Sequence, residues 1–190
     1  MKITVKYIDT TPYVAHVHYD QGTESPAEWG NFDIKVFGCR DINNASRDDF
    51  YDDNDNLQIN MVSRLRFGTA FPITIRNYSS AGDYFYDLAD SAEGCDGFIT
   101  FTPEYVKGES FDRRREYAIG DLATYQQWAN GDVYYIEIET KDGREVDSCG
   151  GIYGNEGIKA YIEQVIPDAQ SVEAIGHYDQ SSSGTYEITL

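Results

Sequence analysis

Cys149 is the side chain in this sequence best suited to nucleophilic chemistry, and it stands in a glycine-rich stretch between Ser148 and Gly150. A thiol attacks as its thiolate, so it needs a base or a positive charge that lowers its pKa. Its ionisable neighbours in sequence are carboxylates, which raise the pKa of a thiol. We therefore expect Cys149 to pack as a small apolar residue beside a turn capped by Asp147 and Ser148, with a thiol hydrolase as the alternative.

Two histidines offer the nearest approach to a transition-metal site. His16 and His18 are two residues apart in an alternating segment, so their side chains share one face of a strand. An ordinary half-exposed strand face is the interpretation that we favour. The cysteines Cys39, Cys95 and Cys149 are widely spaced and form no CxxC pair, so neither a zinc site nor a disulfide framework is expected.

A calcium loop is suggested by the start of one acidic segment and opposed by its end. Asp52, Asn54 and Asn56 have the spacing of the first ligands of such a loop. The sixth position is Leu57, where a glycine is required, and the twelfth is Ser63, where a glutamate is required. We therefore expect no calcium site, and more generally no metal and no cofactor.

The sequence has one cluster of basic residues, Arg113, Arg114 and Arg115. Three arginines on one helical turn are typical of a solvated face, here paired with Asp112 and Glu116. The sequence contains no phosphate-binding glycine loop and no HExxH or GxSxG motif. The scattered carboxylates leave a hydrolase with a carboxylate pair as a further alternative, although no spacing singles out a pair.

The charge of the chain is strongly negative, with 33 acidic and 15 basic residues and a formal net charge of -18. Such a surface repels nucleic acid phosphates, so direct nucleic acid binding is not expected. It attracts partners that have a basic groove. A purely solubilising role for the acids is the alternative.

Two acidic segments are the candidate binding surfaces. Residues 41–56 are the most polar run of the chain, and we expect an exposed loop or a short capped helix there. Its carboxylates would steer a basic partner, and its aromatic residues would anchor that partner. The candidates in this run are Asp48, Asp49, Phe50, Tyr51, Asp52, Asp53 and Asp55. The second segment, an acidic and aromatic connector, contributes Asp83, Asp87, Asp90, Glu93 and Asp96.

The hydrophobic pattern indicates the elements that position these residues. Helices are expected at 110–130, after the N-cap Ser110, and at 155–166, where Pro167 ends the second helix. Residues 57–68 fit either a short helix or a strand. This order, without regular strand–helix alternation, predicts an α+β fold with a mainly antiparallel sheet and two or three helices. Period-two alternation predicts strands near residues 1–8, 13–19, 32–39, 71–78, 98–106, 132–140, 145–154, 171–178 and 185–190.

The composition is that of a folded protein. Hydrophobic residues make up 41% of the 190 residues and aromatic residues 14%, which is enough to bury a core. We expect a single domain over residues 1–190, with a subdivision near residue 95 into 1–95 and 96–190 as the alternative. No apolar run reaches about 20 residues and the start has no signal-peptide core, so a cytosolic protein without a membrane partner is expected.

Three stretches of the chain carry a common pattern: ESPAEWGNF at 24–32, FPITIRNYSSAG at 71–82 with GFITFTPEYV at 97–106, and GDLATYQQWANGDVYYIEIETKDGREVDSCGGIYG at 120–154. Together they resemble an uncharacterised family of small proteins encoded by bacteriophages and other mobile elements. The resemblance implies an origin in such an element and implies no enzymatic activity. The chain has Tyr78 where the family has a histidine, and Gly150 where it has an aromatic residue, so a Cys–His mechanism loses support.

The charge and the implied origin together favour one function. An acidic protein of a mobile element would protect that element by occupying the basic nucleic acid channel of a host defence protein. We therefore expect an anti-defence protein of the host bacterial cytosol. The most specific form is an anti-CRISPR inhibitor that binds a CRISPR effector or a restriction enzyme stoichiometrically, as a DNA mimic. The alternatives are the small hydrolase and an accessory interaction module of a phage.

Overall fold

A computed structural model describes residues 2–5, 13–37, 44–54, 56–77, 84–140, 142–166 and 184–185 of the protein. Its contacts divide the chain into two compact units. The inserted unit is Glu24–Asn130, and the terminal unit combines Met1–Thr23 with Gly131–Leu190. Residue 95, near which the alternative boundary was expected, lies inside the inserted unit. The single domain stays a prediction.

The described residues form three α-helices and ten strands, most of them paired antiparallel, which confirms the α+β fold. The helices are α1 (Ile59–Arg66), α2 (Phe111–Ala129) and α3 (Gly154–Val165). The strands are β1 (Lys2–Val5), β2 (Tyr13–Tyr19), β3 (Phe32–Phe37), β4 (Asn44–Ala45), β5 (Ala70–Asn77), β6 (Tyr84–Leu88), β7 (Gly97–Phe101), β8 (Val133–Thr140), β9 (Glu145–Tyr153) and β10 (Gly184–Thr185).

The terminal unit is an antiparallel sheet covered by one helix. Its strand order is β1-β2-β8-β9, and β10 also pairs with β2. The predicted hairpin of β8 and β9 is confirmed, because the Asp142–Gly143 pair makes a tight turn in which Gly143 has a φ of 83°. Alternate residues of the strands face α3 and form a buried core with it, which comprises Ala15, Val17, Tyr134, Ile136, Ile138, Ile152, Ile158, Ile162 and Ile166.

The inserted unit is a second sheet, in the order β4-β3-β7-β5-β6, and α2 packs against it. The pairing of β3 with β4 is parallel, and its other pairings are antiparallel. Gly97 on β7 lies so close to β3 that a Cβ atom there would be 2.1 Å from the carbonyl oxygen of Lys35. The core includes Phe32, Ile34, Phe71, Ile73, Ile99, Phe101, Ala118, Leu122 and Tyr125.

Helix α2 begins after the predicted N-cap, Ser110, and side chains at its C-terminal end form hydrogen bonds with the backbone of strand β6. The Ser110 hydroxyl accepts a hydrogen bond from the backbone N–H of Arg113 at 3.2 Å. At the other end, the Asn130 side chain accepts a bond from the N–H of Tyr84 and donates one to its carbonyl, both at 2.9 Å. Gln126 accepts a bond from the N–H of Tyr86 at 3.0 Å. These side chains satisfy backbone groups of β6, which is the edge strand of the sheet.

Several sequence predictions differ from the structure or lie outside it. Residues 84–88 belong to the predicted connector and instead form β6, whose Tyr86 is buried against α2. Residues 57–68, for which the sequence allowed either a short helix or a strand, contain helix α1, and Met61 of this helix is buried. The strand predicted at 171–178, the end signal at Pro167 and most of the strand predicted at 185–190 lie outside the described residues.

Candidate functional site

The first acidic segment is a short ordered loop. A 3-10 turn at Arg47–Asp49 is capped by Ser46, whose hydroxyl accepts a hydrogen bond from the N–H of Asp48 at 3.3 Å. The side chains of Asp48 and Asp49 are exposed to solvent. Of the two alternatives predicted for residues 41–56, an exposed loop or a short capped helix, residues 46–49 form the second, as a short 3-10 helix.

Asp52 organises the following turn. One of its carboxylate oxygens accepts hydrogen bonds from the N–H groups of Asn54 and Asn56, both at 2.9 Å. These bonds, that from Asn56 first, lower the pKa of Asp52 below its ordinary value. The neighbouring Asp53 is exposed. The spacing that resembles a calcium loop thus serves an Asx turn, in which donors of the loop itself occupy the carboxylate.

The aromatic residues of this segment do not have the same role. Tyr51 exposes 6% of its surface and belongs to a small core with Phe98, while the guanidinium of Arg47 lies 4.1 Å from its ring centroid. Phe50 is half-buried, and its ring centroid lies 5.4 Å from those of both Phe37 and Phe98. The expected exposed anchor at Tyr51 is therefore wrong, because its ring fills the core beneath the acidic loop.

The second acidic segment divides into structural and exposed carboxylates. Asp87 forms an ion pair with Arg76 on the neighbouring strand. Asp96 accepts hydrogen bonds from the Thr74 hydroxyl at 3.0 Å and from the N–H of Ile75 at 2.7 Å. These two acids hold strands together. Two further acids of the segment, Asp90 and Glu93, are exposed, and the candidates Asp55 and Asp83 lie outside the described residues.

The fold brings the two acidic segments together. The hydroxyl of Tyr51 donates a hydrogen bond to the carbonyl of Ala92 at 2.8 Å and lies 3.6 Å from the thiol of Cys95. Asp90 and Glu93 flank Ala92 in the chain, and the first segment surrounds Tyr51. We call this region the acidic surface, and its exposed members are Asp48, Asp49, Asp52, Asp53, Asp90 and Glu93.

Cys149 lies in the terminal unit on strand β9, not in a turn. Its side chain is exposed, so the prediction of a packed cysteine is wrong. The contact described for the thiol is the carbonyl of Gly150, at 3.4 Å. Nearby on α3, burial raises the pKa of Tyr161, and the adjacent Asp147 and Cys149 add to that rise. The ionisable side chains described near this thiol are thus Asp147 and Tyr161, and neither carries a positive charge.

Asp20 holds the glycine-rich part of β9, a role that no pattern in the sequence predicts. It accepts a hydrogen bond from the N–H of Gly151 at 3.0 Å, and Gly151 has a φ of 66°. Burial alone would raise the pKa of Asp20, but hydrogen bonds from Thr23, Gly151 and Gly22 outweigh it and lower that pKa. The positive φ of Gly151 explains one glycine of the motif as a backbone requirement.

The two histidines share a face of β2, as predicted, and each has an acidic partner. His16 Nε2 lies 2.9 Å from Glu139 Oε1, and His18 Nε2 lies 3.8 Å from Glu137 Oε2. Within the described part of the chain, no group of three or more His, Cys, Asp or Glu residues is arranged to hold a metal ion. These pairs are typical of a polar strand face.

The arginine cluster is partly tied to the protein itself. Arg113 pairs with Glu116 at 2.5 Å, as predicted. Arg114 donates hydrogen bonds to the carbonyls of Glu109 at 3.0 Å and of Phe67 at 2.6 Å. Arg115 is exposed. The bond to Phe67 links the start of α2 to the end of α1, a contact that no local sequence pattern predicts.

Comparison with known proteins supplies no function for this chain, so the proposed function rests on the geometry described above. No family model, curated protein or solved structure matches this chain. The family resemblance described above therefore stays a prediction. No helix in the described ranges is long and apolar enough to cross a bilayer.

Proposed function

We propose that this protein is a stoichiometric inhibitor that binds a nucleic-acid-processing protein through the acidic surface. The observation that carries the proposal is the hydrogen bond from Tyr51 to Ala92, which holds two acidic segments in one place. A carboxylate group resembles a phosphate in charge and in accepting hydrogen bonds from arginine and lysine. The described acids that share this surface are therefore suited to a basic nucleic acid channel.

The electrostatics of the whole chain support the same proposal. A net charge of -18 gives a long-range field that speeds the encounter with a basic partner. The charge also opposes direct binding to nucleic acid. The preferred target class is a host defence enzyme, a CRISPR effector or a restriction enzyme, in line with the mobile-element origin that the family resemblance implies.

The test is inhibition of DNA cleavage by charge variants that differ in location alone. The variant Asp53→Lys, Asp90→Lys, Glu93→Lys alters the acidic surface. A matched control replaces three other exposed acids, Glu28, Glu104 and Glu163, with lysine. Each substitution adds two positive charges, so both triple variants have a formal net charge of -12 instead of -18.

The proposal predicts different outcomes for the two variants. We expect the wild-type protein and the control to block cleavage by a purified, guide-loaded CRISPR effector or a restriction enzyme. The acidic-surface variant should require at least about tenfold more protein for the same inhibition, because three rim charges together are worth about that much. Equal potency of the two variants would show that net charge, and not this surface, is responsible.

Thiol chemistry is a second candidate, favoured by the exposure of Cys149. A hydrolase of this kind would need a base that the described neighbours of the thiol do not supply. A Cys149→Ala variant separates the two candidates. If this variant keeps its full biological activity, the thiol-enzyme hypothesis is ruled out. If the variant loses that activity while its fold stays intact, the inhibitor hypothesis is ruled out.

A further inference from the structure

The inserted unit exposes several large apolar side chains around helix α1. Eight large hydrophobic side chains in the described residues are exposed, and four of them are on α1 or at the ends of α1 and α2. Ile59 is 86% exposed, Val62 48%, Phe67 65% and Phe111 50%. Exposed apolar side chains that are clustered in this way mark interaction surfaces, whereas scattered ones do not.

Contacts between the end of α1 and the start of α2 bring these four side chains into one region of the inserted unit. Ile59 and Val62 are three residues apart on α1 and so point in the same direction. Phe67 follows the last turn of α1, and Arg114 of α2 donates a hydrogen bond to its carbonyl. Phe111 packs over Gly68, where a Cβ atom would lie 2.8 Å from Phe111 Cδ2. We call Ile59, Val62, Phe67 and Phe111 the apolar stripe.

The two ends of the apolar stripe carry opposite charge. At the Ile59 end, the Gln58 side chain donates a hydrogen bond to the carbonyl of Asp48 at 3.0 Å, which places the exposed Asp48 and Asp49 beside the stripe. At the Phe67 and Phe111 end stand Arg66 and Arg115, both exposed. In the described part of the chain, no ion pair engages either arginine.

The arginine end is an exception in a very acidic chain. Residues 64–67 and 109–116 contain five arginines against three carboxylates, a local excess of two positive charges. The chain as a whole has a net charge of -18. Aromatic residues and arginine are also the residue types enriched at the centres of protein interfaces.

We propose that two copies of this protein pair through the apolar stripe, about a two-fold axis perpendicular to it. In that arrangement each stripe covers the other, and the acidic end of one copy faces the arginine end of its partner at both ends. Asp48 and Asp49 then serve the dimer, and Asp52, Asp53, Asp90 and Glu93 are the members of the acidic surface left for a target protein. The same patch serves on both copies, as an isologous dimer requires. A stripe with opposite charges at its two ends is complementary to itself only in this antiparallel arrangement.

The test is the association state of the purified full chain by sedimentation equilibrium at near-physiological ionic strength. At that ionic strength the Debye length is about 8 Å, so salt screens the repulsion between distant charges of the two chains. Charges that face each other across the interface are closer than this and are screened much less. Two charge variants are needed, Arg66→Glu with Arg115→Glu, and Asp48→Arg with Asp49→Arg. The control is Lys107→Glu with Lys159→Glu, which makes the same change in net charge at two exposed residues that are not members of the stripe, and circular dichroism verifies the fold of each.

We expect the wild type and the control to dimerise. Each charge variant alone would place like charges together at both ends, so its dimer Kd should rise at least about tenfold. An equimolar mixture of the two variants should form a heterodimer, because the acids of one then face the arginines of the other. A Val62→Asp variant should be monomeric, because it buries a charge at the centre.

Three outcomes would overturn the dimer. They are a wild type that stays monomeric at about 100 µM, charge variants that dimerise as strongly as the wild type, and a mixture that does not associate. A monomeric wild type would mean that another protein covers the stripe. This experiment needs no target protein, so its failure leaves the inhibitor untouched. Conversely, the inhibition assay alters Asp53, Asp90 and Glu93, which are not needed for the dimer.

Discussion

The Tyr51 hydroxyl donates a hydrogen bond to the carbonyl of Ala92, 41 positions further along the chain, at 2.8 Å. This bond joins two loops whose exposed side chains are mostly carboxylates. Like charges at such close range repel, so loops without a shared support would move apart. The buried Tyr51 and the aromatic core around it supply that support. The acidic surface is therefore a product of tertiary structure, and a sequence with the same charges and no such core would not present it.

A Tyr51→Phe variant removes this bond and keeps the ring in the core. We expect a loss of about 1 kcal/mol in the free energy of unfolding, since a carbonyl loses its partner. We also expect faster hydrogen exchange at the amides near Ala92 and weaker inhibition by the acidic surface. Urea unfolding and exchange measure these effects. A Tyr135→Phe variant, whose hydroxyl contacts the exposed Glu137, is the control and should change little. Unchanged exchange near Ala92 would contradict the supporting role of Tyr51.

Asp121 on α2 makes the stability of the inserted unit depend on pH. Burial raises the pKa of Asp121 to about 6, and a hydrogen bond from the Tyr105 hydroxyl only partly offsets this. The folded protein thus binds a proton that the unfolded chain, with an ordinary pKa of 3.8, releases. The stabilisation from this proton is complete below pH 4 and is lost as the pH rises to about 6.

The Asp121→Asn variant measures this effect. At pH 7.5 it should be more stable than the wild type by about 1 to 2 kcal/mol, a figure reduced for the partial exposure of the carboxylate. At pH 4 the difference should disappear, because the carboxylate is then protonated in the folded wild type. Glu163→Gln, at an exposed position of α3, is the control substitution. A gain that is equal at both pH values would refute the assigned pKa.

Two glycine-to-alanine variants test the packing of the inserted unit. At Gly97, a Cβ atom would meet the Lys35 carbonyl at 2.1 Å and Val36 Cα at 2.9 Å, and neither backbone atom can move aside. We expect Gly97→Ala to destabilise the unit by about 3 kcal/mol. Gly120→Ala, in the middle of α2 with nothing within 4 Å, should stabilise it by up to about 1 kcal/mol.

The fluorescence of tryptophan reports on these variants selectively. Both tryptophans of the chain, Trp29 and Trp128, belong to the inserted unit. Their emission during urea unfolding therefore follows that unit and not the terminal one. A Gly97→Ala variant as stable as the wild type would mean that β3 and β7 are further apart than the structure has them.

The sequence predicts the elements whose signals are local. The Asp142–Gly143 turn between alternating runs gives the β8–β9 hairpin, and Ser110 marks the start of α2. Strand β6 was missed because a turn-rich, acidic context hides its alternation, and its backbone is satisfied by α2 side chains far away in sequence. Contacts of this kind depend on the assembled fold, and no local pattern encodes them.

The residues of the candidate site also divide into those whose exposure the sequence predicts and those whose exposure depends on the assembled fold. Exposure of Asp48, Asp49 and Asp53 follows from the polarity of their run, and the sequence identifies them. The burial of Tyr51 depends on Phe98 and Ala92, which are distant in sequence. The exposure of Cys149 depends on the assembled fold around β9. Composition also cannot distinguish an exposed acid from one such as Asp96, which two hydrogen bonds of β5 hold in place.

The central claim is that the acidic surface occupies the place of nucleic acid. The most direct measurement is a competition titration, in which this protein is added to a purified, guide-loaded CRISPR effector or a restriction enzyme bound to labelled duplex DNA. We predict that one molecule of DNA is released for each molecule of this protein that binds. We also predict that the apparent Kd of the target enzyme for DNA rises linearly with the concentration of this protein. A ternary complex that keeps its DNA at saturating protein, or no binding at low salt, would contradict the claim.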